Sequence, residues 1–169
     1  MLPERIKRLV YPAGFAQTIK TYANEYKVES ELIAAIIYQE SRFNPDAVSP
    51  AAAKGLMQII PRTGGSIAKN LEKSDYHEKS LLNPVESIRM GTYYFKQLME
   101  QFDNRVDVAL ASYNGGPYNA KRWLNFCKSD DMLEFIGAIS FKETRNYVKI
   151  VLTNYYIYKE LYKNGEDWF

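Results

Sequence analysis

The apolar residues of this chain follow a helical spacing almost from end to end, and this pattern constrains the fold more than any other feature. No run of alternating polar and apolar residues extends beyond a few positions, and no hairpin dipeptide separates β-branched segments. The pattern therefore predicts an all-α fold. The predicted helices cover residues 13–26, 30–41, 62–71, 84–102, 105–113, 117–126, 131–137 and 142–163.

Two helix boundaries are marked by their residue chemistry. Asn83 can accept hydrogen bonds from free N–H groups and Pro84 suits a first turn, so a helix should begin there. The run 115–117, Gly-Gly-Pro, should end one helix and begin the next. Behind Pro84 a single buried stripe is predicted, formed by Ile88, Gly91, Phe95, Leu98 and Phe102. Since no linker or repeat divides the 169 residues, we expect one domain over 1–169 with a substantial core.

Residues 43–61 are the one long segment without helical periodicity. They contain three prolines together with the apolar residues Leu56, Met57, Ile59 and Ile60. Long irregular loops in compact domains are more often functional than accidental. This segment is therefore expected to contribute to a site.

The composition excludes several functional classes. Lys and Arg number 22 against 20 Asp and Glu, which argues against nucleic-acid binding. The single cysteine, Cys127, and the single histidine, His77, rule out an intramolecular disulfide and most Cys/His metal sites, and no Asp-rich calcium loop is present. We therefore expect no metal and no cofactor. No apolar run reaches the roughly 20 residues of a membrane span, and residues 1–11 carry charges, so the chain as it stands is expected to be soluble.

Glu40 is the candidate catalytic residue. In the predicted helix 30–41, Ile33, Ile36 and Ile37 define the buried stripe, and Glu40 follows at the same spacing near the negative end of the helix dipole. Both effects should raise its pKa and keep a proton available near neutral pH, as a general acid requires. The alternative is a structural ion pair with a nearby Arg or Lys, which the spacing alone leaves open.

Five short motifs, in one order over nearly the whole chain, resemble the soluble lytic transglycosylase family. They are Glu40-Ser41-Arg42-Phe43, Ser49-Pro50, Gly55-Leu56-Met57-Gln58-Ile59, Ser112-Tyr113-Asn114-Gly115-Gly116 and Glu143-Thr144-Arg145-Asn146-Tyr147-Val148. The resemblance implies a lysozyme-like fold of about eight helices around a glycan-binding groove. It also implies cleavage of peptidoglycan strands, and hence a place in the cell envelope, with any export signal removed or carried by a longer parent protein.

The resemblance also implies roles for individual residues. The acid and base falls on Glu40, the serine near the cleavage site on Ser49, and the tyrosine whose hydroxyl faces the catalytic carboxylate on Tyr113. Substrate-binding residues are then predicted at Ser49, Met57, Gln58, Ile60, Tyr113, Asn114, Glu143 and Tyr147. For Leu56 plain core packing is preferred, and for Arg145 a structural ion pair. Three positions depart from the family pattern, because Ser112 and Gly115 stand in place of alanines and Ala52 stands in place of glycine. Ala52 would be strained only if its φ is positive.

Two-carboxylate glycosidases need a second acid, and the motifs offer none for Glu40. Asp46 is more naturally a turn residue bonded to its own backbone, and Glu143 is matched to substrate binding. The resemblance implies that the substrate assists: its N-acetyl group supports the anomeric carbon, Glu40 protonates the glycosidic oxygen, and the sugar's own 6-hydroxyl attacks to leave a 1,6-anhydromuramoyl end.

Three alternatives remain open. A hydrolytic muramidase would use water in place of the 6-hydroxyl. A non-catalytic wall-binding module would have no reason to bury Glu40, and a helical protein adaptor would need an exposed apolar stripe, of which the sequence shows none. The domain is expected to be monomeric, with peptidoglycan glycan strands as its partner.

Overall fold

The structure, a computed structural model, describes residues 3–162. Within them the chain forms helices and turns, with only isolated β-bridges at Val48, Lys54 and Ile59. The helices are α1 Glu4–Val10, α2 Ala16–Tyr26, α3 Ser30–Ser41, α4 Pro61–Asn70, a 3₁₀ helix Glu78–Leu82, α5 Pro84–Gln101, α6 Val106–Gly115, α7 Pro117–Cys127, α8 Met132–Ala138 and α9 Lys142–Leu161. The predicted all-α class is confirmed, and all eight predicted helices are present with boundaries shifted by three residues at most; residue 163 lies outside the described part.

Helix α3 forms the centre of the domain. Six consecutive residues, 32–37, are buried, which means that the helix is covered on every side. It packs against α9 and α2, while α9 also packs against α6 and α5 joins α2 to α6. The catalytic candidate is therefore carried at the end of the most enclosed helix, whose position the surrounding helices fix.

Helix α5 follows the predicted pattern closely. The side chain of Asn83 accepts hydrogen bonds from the N–H groups of Val85 (3.0 Å) and Glu86 (3.2 Å). All five residues of the predicted stripe are buried. Gly91 lies where Met57 packs on the helix, and a Cβ at this position would overlap the Met57 sulfur atom. The glycine thus allows the loop before α4 to lie directly on α5.

Two elements were not predicted. Helix α1 is short and rich in charged residues, and its apolar residues Ile6, Leu9 and Val10 are exposed. It therefore lacks the buried apolar stripe from which a helix is predicted. It lies next to α9. The 3₁₀ helix before α5 is too short to show a period, and Leu81 is its one buried residue.

None of the helices in residues 3–162 is both long and apolar enough to cross a membrane.

Candidate active site

The loop between α3 and α4 is held in a defined shape by backbone conformations that few residues adopt. Arg42, Phe43, Ala52 and Gln58 all have positive φ, as does Gly55. A Cβ on Gly55 would overlap the carbonyl oxygen of Leu81, so only glycine fits there. Positive φ at non-glycine residues is uncommon and is often found at functional sites.

Gln58 braces this loop from within. Its amide nitrogen donates to the carbonyl oxygens of Ala47 (3.0 Å) and Gly55 (2.9 Å). Since the amide has two N–H hydrogens, both are used, and its oxygen is the part left to receive a donor from a ligand.

Ser49 opens a tight turn in the same loop. Its Oγ accepts from the N–H of Ala53 (3.1 Å), and its carbonyl accepts from the N–H of Ala52 (2.9 Å). Ala52 has a φ of 62°. The backbone strain that was expected for a positive φ at this alanine is therefore present. A separate turn precedes the Ser49 turn, in which Oδ1 of Asn44 accepts from the N–H of Asp46 (3.0 Å). Asp46 is thus a turn residue as predicted, but the side chain that accepts the backbone hydrogen bond is that of Asn44.

Glu40 occupies the last turn of α3. The residue keeps some exposed surface, yet the protein surrounds its carboxyl so closely that burial raises its pKa to about 7. Tyr147 of α9 donates its hydroxyl to Oε1 of Glu40 at 2.7 Å, which lowers the pKa by a smaller amount. Within the described residues Glu40 forms no ion pair, so the alternative role as a partner in a structural ion pair has no support there. A carboxyl with a pKa near 7 holds a proton on about half of the molecules at neutral pH and can both donate and accept one.

Tyr113 lies beside this pair. The charge of Glu40 contributes to raising the pKa of Tyr113, although burial is the larger cause. Its hydroxyl, however, donates to the backbone oxygen of Met57 at 2.7 Å. The hydroxyl that is hydrogen-bonded to the carboxyl is that of Tyr147. That the Tyr113 hydroxyl faces the carboxylate stays a prediction.

Met57 also differs from its predicted role. Its side chain is fully buried against Gly91, and its backbone N–H donates to Ser87 Oγ at 3.2 Å. A side chain enclosed in the core cannot contact a glycan, so the prediction of substrate contact fails for this side chain. Met57 contributes its backbone oxygen, which fixes Tyr113. Leu56 is buried as expected.

A cavity of about 210 Å³ lies next to Tyr113. Four of the predicted residues line it, namely Gln58, Ile60, Tyr113 and Asn114. The other lining residues are Ile59, Thr63, Tyr94, Gly116 and Pro117. Thr63 and Tyr94 were not predicted, because the helical pattern around them gives no sign of which partly buried residue faces a cavity.

Asn114, at the end of α6, and Glu143, at the start of α9, lie at the same end of these two packed helices. Thr144, the neighbour of Glu143, donates its hydroxyl to Oδ1 of Asn114 at 2.7 Å. Glu143 itself is exposed on the first turn of α9. Arg145 forms no ion pair among residues 3–162, so the expected structural pair is absent from that part of the chain.

The two other departures from the family pattern have a structural context. A Cβ on Gly115 would press on the Trp123 ring (2.8 Å) and the Thr144 hydroxyl (3.0 Å), so this chain needs glycine where alanine is usual. Ser112 is fully buried. Among residues 3–162 its Oγ has no hydrogen-bond partner, and nothing in the structure explains the hydroxyl.

The described residues contain no group of three or more His, Cys, Asp or Glu side chains placed to hold a metal ion. A separate cavity of about 350 Å³ lies at the opposite end of α3, between Tyr26, Leu32, Met99 and Val106. It includes none of the predicted site residues.

Comparison with known proteins gives consistent matches. The model of the transglycosylase SLT domain matches residues 17–136, and that of the soluble lytic transglycosylase helical domain matches residues 138–167. The soluble lytic murein transglycosylase of Salmonella typhimurium is 35% identical over 166 residues, covering 94% of this chain and 26% of that protein.

Two solved structures each contain a part that is similar to most of this chain. An inactive Glu-to-Gln mutant of lytic transglycosylase Slt from Pseudomonas aeruginosa has a TM-score of 0.86 at 32% identity, covering 90% of this chain and 25% of that one. The 70-kDa soluble lytic transglycosylase in complex with bulgecin A has a TM-score of 0.89 at 32% identity, covering 96% and 27%. The predicted lysozyme-like fold is thereby confirmed.

This chain spans about a quarter of the length of these relatives. The SLT domain model nevertheless matches well over half of it. The protein therefore belongs to the transglycosylase SLT domain family.

Proposed function

We propose that this chain is a lytic transglycosylase domain that cuts the β-1,4 bond between N-acetylmuramic acid and N-acetylglucosamine in peptidoglycan without adding water. The observation that carries the proposal is Glu40, a carboxyl with a pKa raised by burial to about 7, hydrogen-bonded to Tyr147. Within residues 3–162 burial and the Tyr147 hydroxyl are the causes of this pKa shift, and none of them is a second carboxylate such as a two-acid glycosidase employs.

In the proposed reaction Glu40 acts twice. It first donates its proton to the glycosidic oxygen, so that the leaving sugar departs as a neutral alcohol and the N-acetyl group of muramic acid supports the anomeric carbon. Glu40, now a carboxylate, then takes the proton of the muramic acid 6-hydroxyl as that oxygen attacks the anomeric carbon. The product carries a 1,6-anhydromuramoyl end, and Glu40 is protonated again.

Tyr147 has a positioning role in this scheme. Its hydroxyl donates to one carboxyl oxygen, Oε1, which leaves Oε2 to carry the transferred proton. The same bond strengthens when Glu40 becomes charged, because hydrogen bonds to ionised acceptors are roughly twice as strong as neutral ones. Tyr147 thus stabilises the carboxylate formed after the first proton transfer.

The proposed glycan groove passes Glu40 and the cavity beside Tyr113. Gln58, Ile60 and Asn114 line this cavity, and the Gln58 oxygen can accept from a sugar hydroxyl. Ser49 and Glu143 are proposed as further contacts from the loop before α4 and the first turn of α9. Tyr113 presents its ring to the cavity while its hydroxyl is held by Met57.

The relatives support the same conclusion. The inactive Glu-to-Gln mutant of the Pseudomonas aeruginosa enzyme indicates that one glutamate is indispensable there, and within residues 3–162 Glu40 is the glutamate whose pKa burial clearly raises. Because soluble lytic murein transglycosylases are similar over nearly the whole chain, we place the site of action in the cell envelope. We propose a single, monomeric domain that needs no metal or cofactor.

The test is the release of soluble fragments from purified peptidoglycan sacculi by wild-type protein and by Glu40→Gln. We expect Glu40→Gln to lose turnover while still binding sacculi, because the amide keeps the shape but cannot exchange the proton. Glu134→Gln, an exposed acid on α8, is the matched control and should cleave normally. Wild-type turnover by Glu40→Gln would refute the proposal.

The alternative enzymatic function is a hydrolytic muramidase. It would use the same acid, with water in place of the 6-hydroxyl, and would leave reducing muramic acid ends. The products of the wild-type protein separate the two reactions.

A further inference from the structure

Thr144 is a buried polar residue of α9 for which the proposed reaction gives no role. It is 2% exposed, and it stands between Glu143, a proposed glycan contact, and Tyr147, the hydrogen-bond partner of Glu40. Its Oγ1 donates to Oδ1 of Asn114 at 2.7 Å, which joins the first turn of α9 to the last turn of α6. Thr144 therefore contacts a residue that lines the groove cavity while it remains enclosed itself.

The backbone around Asn114 has supports other than this bond. Asn114 lies within α6, and the carbonyl oxygen of the next residue, Gly115, accepts from Nδ2 of Asn119 on α7 at 2.8 Å. Thr144 takes no part in these contacts. What its hydroxyl fixes is therefore the side-chain amide of Asn114.

The direction of the bond sets which end of the amide faces the cavity. A threonine hydroxyl carries one hydrogen, and here that hydrogen is directed at the amide oxygen of Asn114. The oxygen and the nitrogen of an amide point to opposite sides of its carbon, so Nδ2 is directed away from Thr144. Among residues 3–162 this nitrogen donates to no other residue, and Asn114 is exposed at the cavity. Its two N–H groups are thus available to a ligand.

The Thr144 side chain is itself held in one orientation. A Cβ on Gly115 would lie 3.0 Å from Oγ1 and 3.2 Å from Cγ2 of Thr144, so the backbone of α6 lies directly on both branches of this side chain. Threonine is also stiff at χ1. The χ2 angle of asparagine, in contrast, is broad and roughly two-fold, so without the hydroxyl the Asn114 amide would adopt either orientation.

Two amides at this cavity offer opposite hydrogen-bonding groups. Gln58 has both amide hydrogens bound within the loop and offers its oxygen as an acceptor, whereas Asn114 offers a donor. Sugar hydroxyls can bond with either amide, but the carbonyl and ether oxygens of a glycan are acceptors only. An Asn114 amide in the reverse orientation would place a second acceptor at the cavity and leave such an oxygen without a donor.

We propose that Thr144 is a positioning residue for glycan binding: its hydroxyl holds the Asn114 amide so that Nδ2 donates to an acceptor oxygen of the glycan. The inference rests on the proposed function, because it takes the ligand of this cavity to be the glycan strand. Glu40 is not among the residues that line the cavity, so the donor should stabilise the bound strand equally before and during the reaction. Such uniform binding changes KM and leaves kcat unaltered.

The first test is a double-mutant cycle on soluble peptidoglycan strands. Thr144→Val replaces the hydroxyl by a methyl group of similar size, Thr144→Ser keeps the hydroxyl, and Asn114→Ala removes the amide. The matched control is Thr153→Val, because Thr153 lies on the same helix and its hydroxyl donates within that helix, to the carbonyl oxygen of Lys149 at 2.9 Å. For each protein KM, kcat and their pH dependence are measured.

We expect Thr144→Val to raise KM about three- to tenfold, the range of a single hydrogen bond, with kcat and the alkaline limb of the pH profile unchanged. Thr144→Ser and Thr153→Val should match the wild type. In the Asn114→Ala background Thr144→Val should have no further effect, because Thr144 acts through Asn114. An unchanged KM, an equal rise in the Asn114→Ala background, a loss confined to kcat, or no rescue by serine would overturn the proposal.

A binding measurement separates the donor from the bond that positions it. The probe is an uncharged tetramer of β-1,4-linked N-acetylglucosamine, added to the Glu40→Gln protein so that it is not cleaved. Asn114→Asp keeps an oxygen for the Thr144 hydroxyl but has no side-chain donor at neutral pH. We expect the dissociation constant to rise about as much as for Asn114→Ala. An unchanged dissociation constant would show that the site needs the Thr144 bond and not the donor, and would overturn the proposal.

Failure of the proposed function gives a different result. A wild-type protein that cleaves no peptidoglycan contradicts the transglycosylase activity itself, and the double-mutant cycle is then measured as dissociation constants for the tetramer. A tetramer that does not bind, or a Thr144→Val effect that persists in the Asn114→Ala background, would overturn the positioning role of Thr144.

Discussion

Replacing Glu40 by Gln should make the protein more stable at alkaline pH while removing its activity. The pKa of Glu40 is raised from its ordinary value of 4.5 to about 7, chiefly by burial. Each step of one in pKa corresponds to about 1.36 kcal/mol, so the charged carboxyl lowers the free energy of unfolding by about 3 kcal/mol. Glutamine is neutral at every pH, and its oxygen can still accept from Tyr147.

The pH dependence of this gain has a definite sign. Below about pH 4.5 Glu40 is protonated in both the folded and the unfolded state, and the variant should match the wild type in stability. As the pH rises towards 7 the unfolded state loses its proton first, so the wild type loses stability. Above pH 7 the full difference is present. We expect Glu40→Gln to gain about 1–3 kcal/mol there, the lower value allowing for imperfect pairing of the new amide.

Urea denaturation at about pH 4.5 and about pH 8 measures this difference. Glu143→Gln is the control, because Glu143 is exposed and its replacement should give no comparable dependence on pH. A stability difference that does not change with pH, or a less stable Glu40→Gln protein at about pH 8, would refute the argument that burial raises the Glu40 pKa.

Three further predictions concern residues around the site and core. Tyr147→Phe removes a bond worth about 1.5–3 kcal/mol to the carboxylate and roughly half as much to the neutral carboxyl, so the pKa of Glu40 and the alkaline limb of kcat/KM against pH should rise by about 0.5–1; an unmoved limb would contradict this. Ala52→Gly should raise stability by up to about 1 kcal/mol in thermal unfolding, because glycine relieves a φ of 62°, and a lower melting temperature would count against it. Gly91→Ala should lower the free energy of unfolding by about 1–3 kcal/mol, because the added Cβ overpacks against Met57. Gly137→Ala is the control: nothing lies within 4 Å of its added Cβ, so it should raise the free energy of unfolding by about 0.5–1 kcal/mol. Similar values for the two variants in urea denaturation would show that the close approach at Gly91 is unimportant.

The helices could be predicted from sequence where one face is buried and the ends carry capping residues. Helix α3 has the predicted bounds because its isoleucines repeat at helical spacing, and α5 begins at Pro84 because Asn83 caps it. Helix α1 was missed for the opposite reason: its apolar residues face solvent and its remaining residues are mostly charged.

The site was only partly predictable. Glu40 could be placed on the buried side of α3 by spacing, and the order of the motifs identified the segments that meet. The tyrosine that is hydrogen-bonded to its carboxyl could not be predicted. Tyr147 lies 107 residues away, and whether Tyr113 or Tyr147 forms the bond depends on how the helices pack. Likewise Met57 points into the core only because Gly91, on another helix, leaves room for its sulfur.

The central claim is that Glu40 acts as a single acid and base on a substrate that supplies its own nucleophile. Its most direct test is mass spectrometry of the fragments released from sacculi in water enriched in heavy oxygen. We predict 1,6-anhydromuramoyl ends without the heavy isotope from the wild-type protein, and no fragments from Glu40→Gln. Reducing muramic acid ends that carry the isotope would contradict the claim and establish hydrolysis.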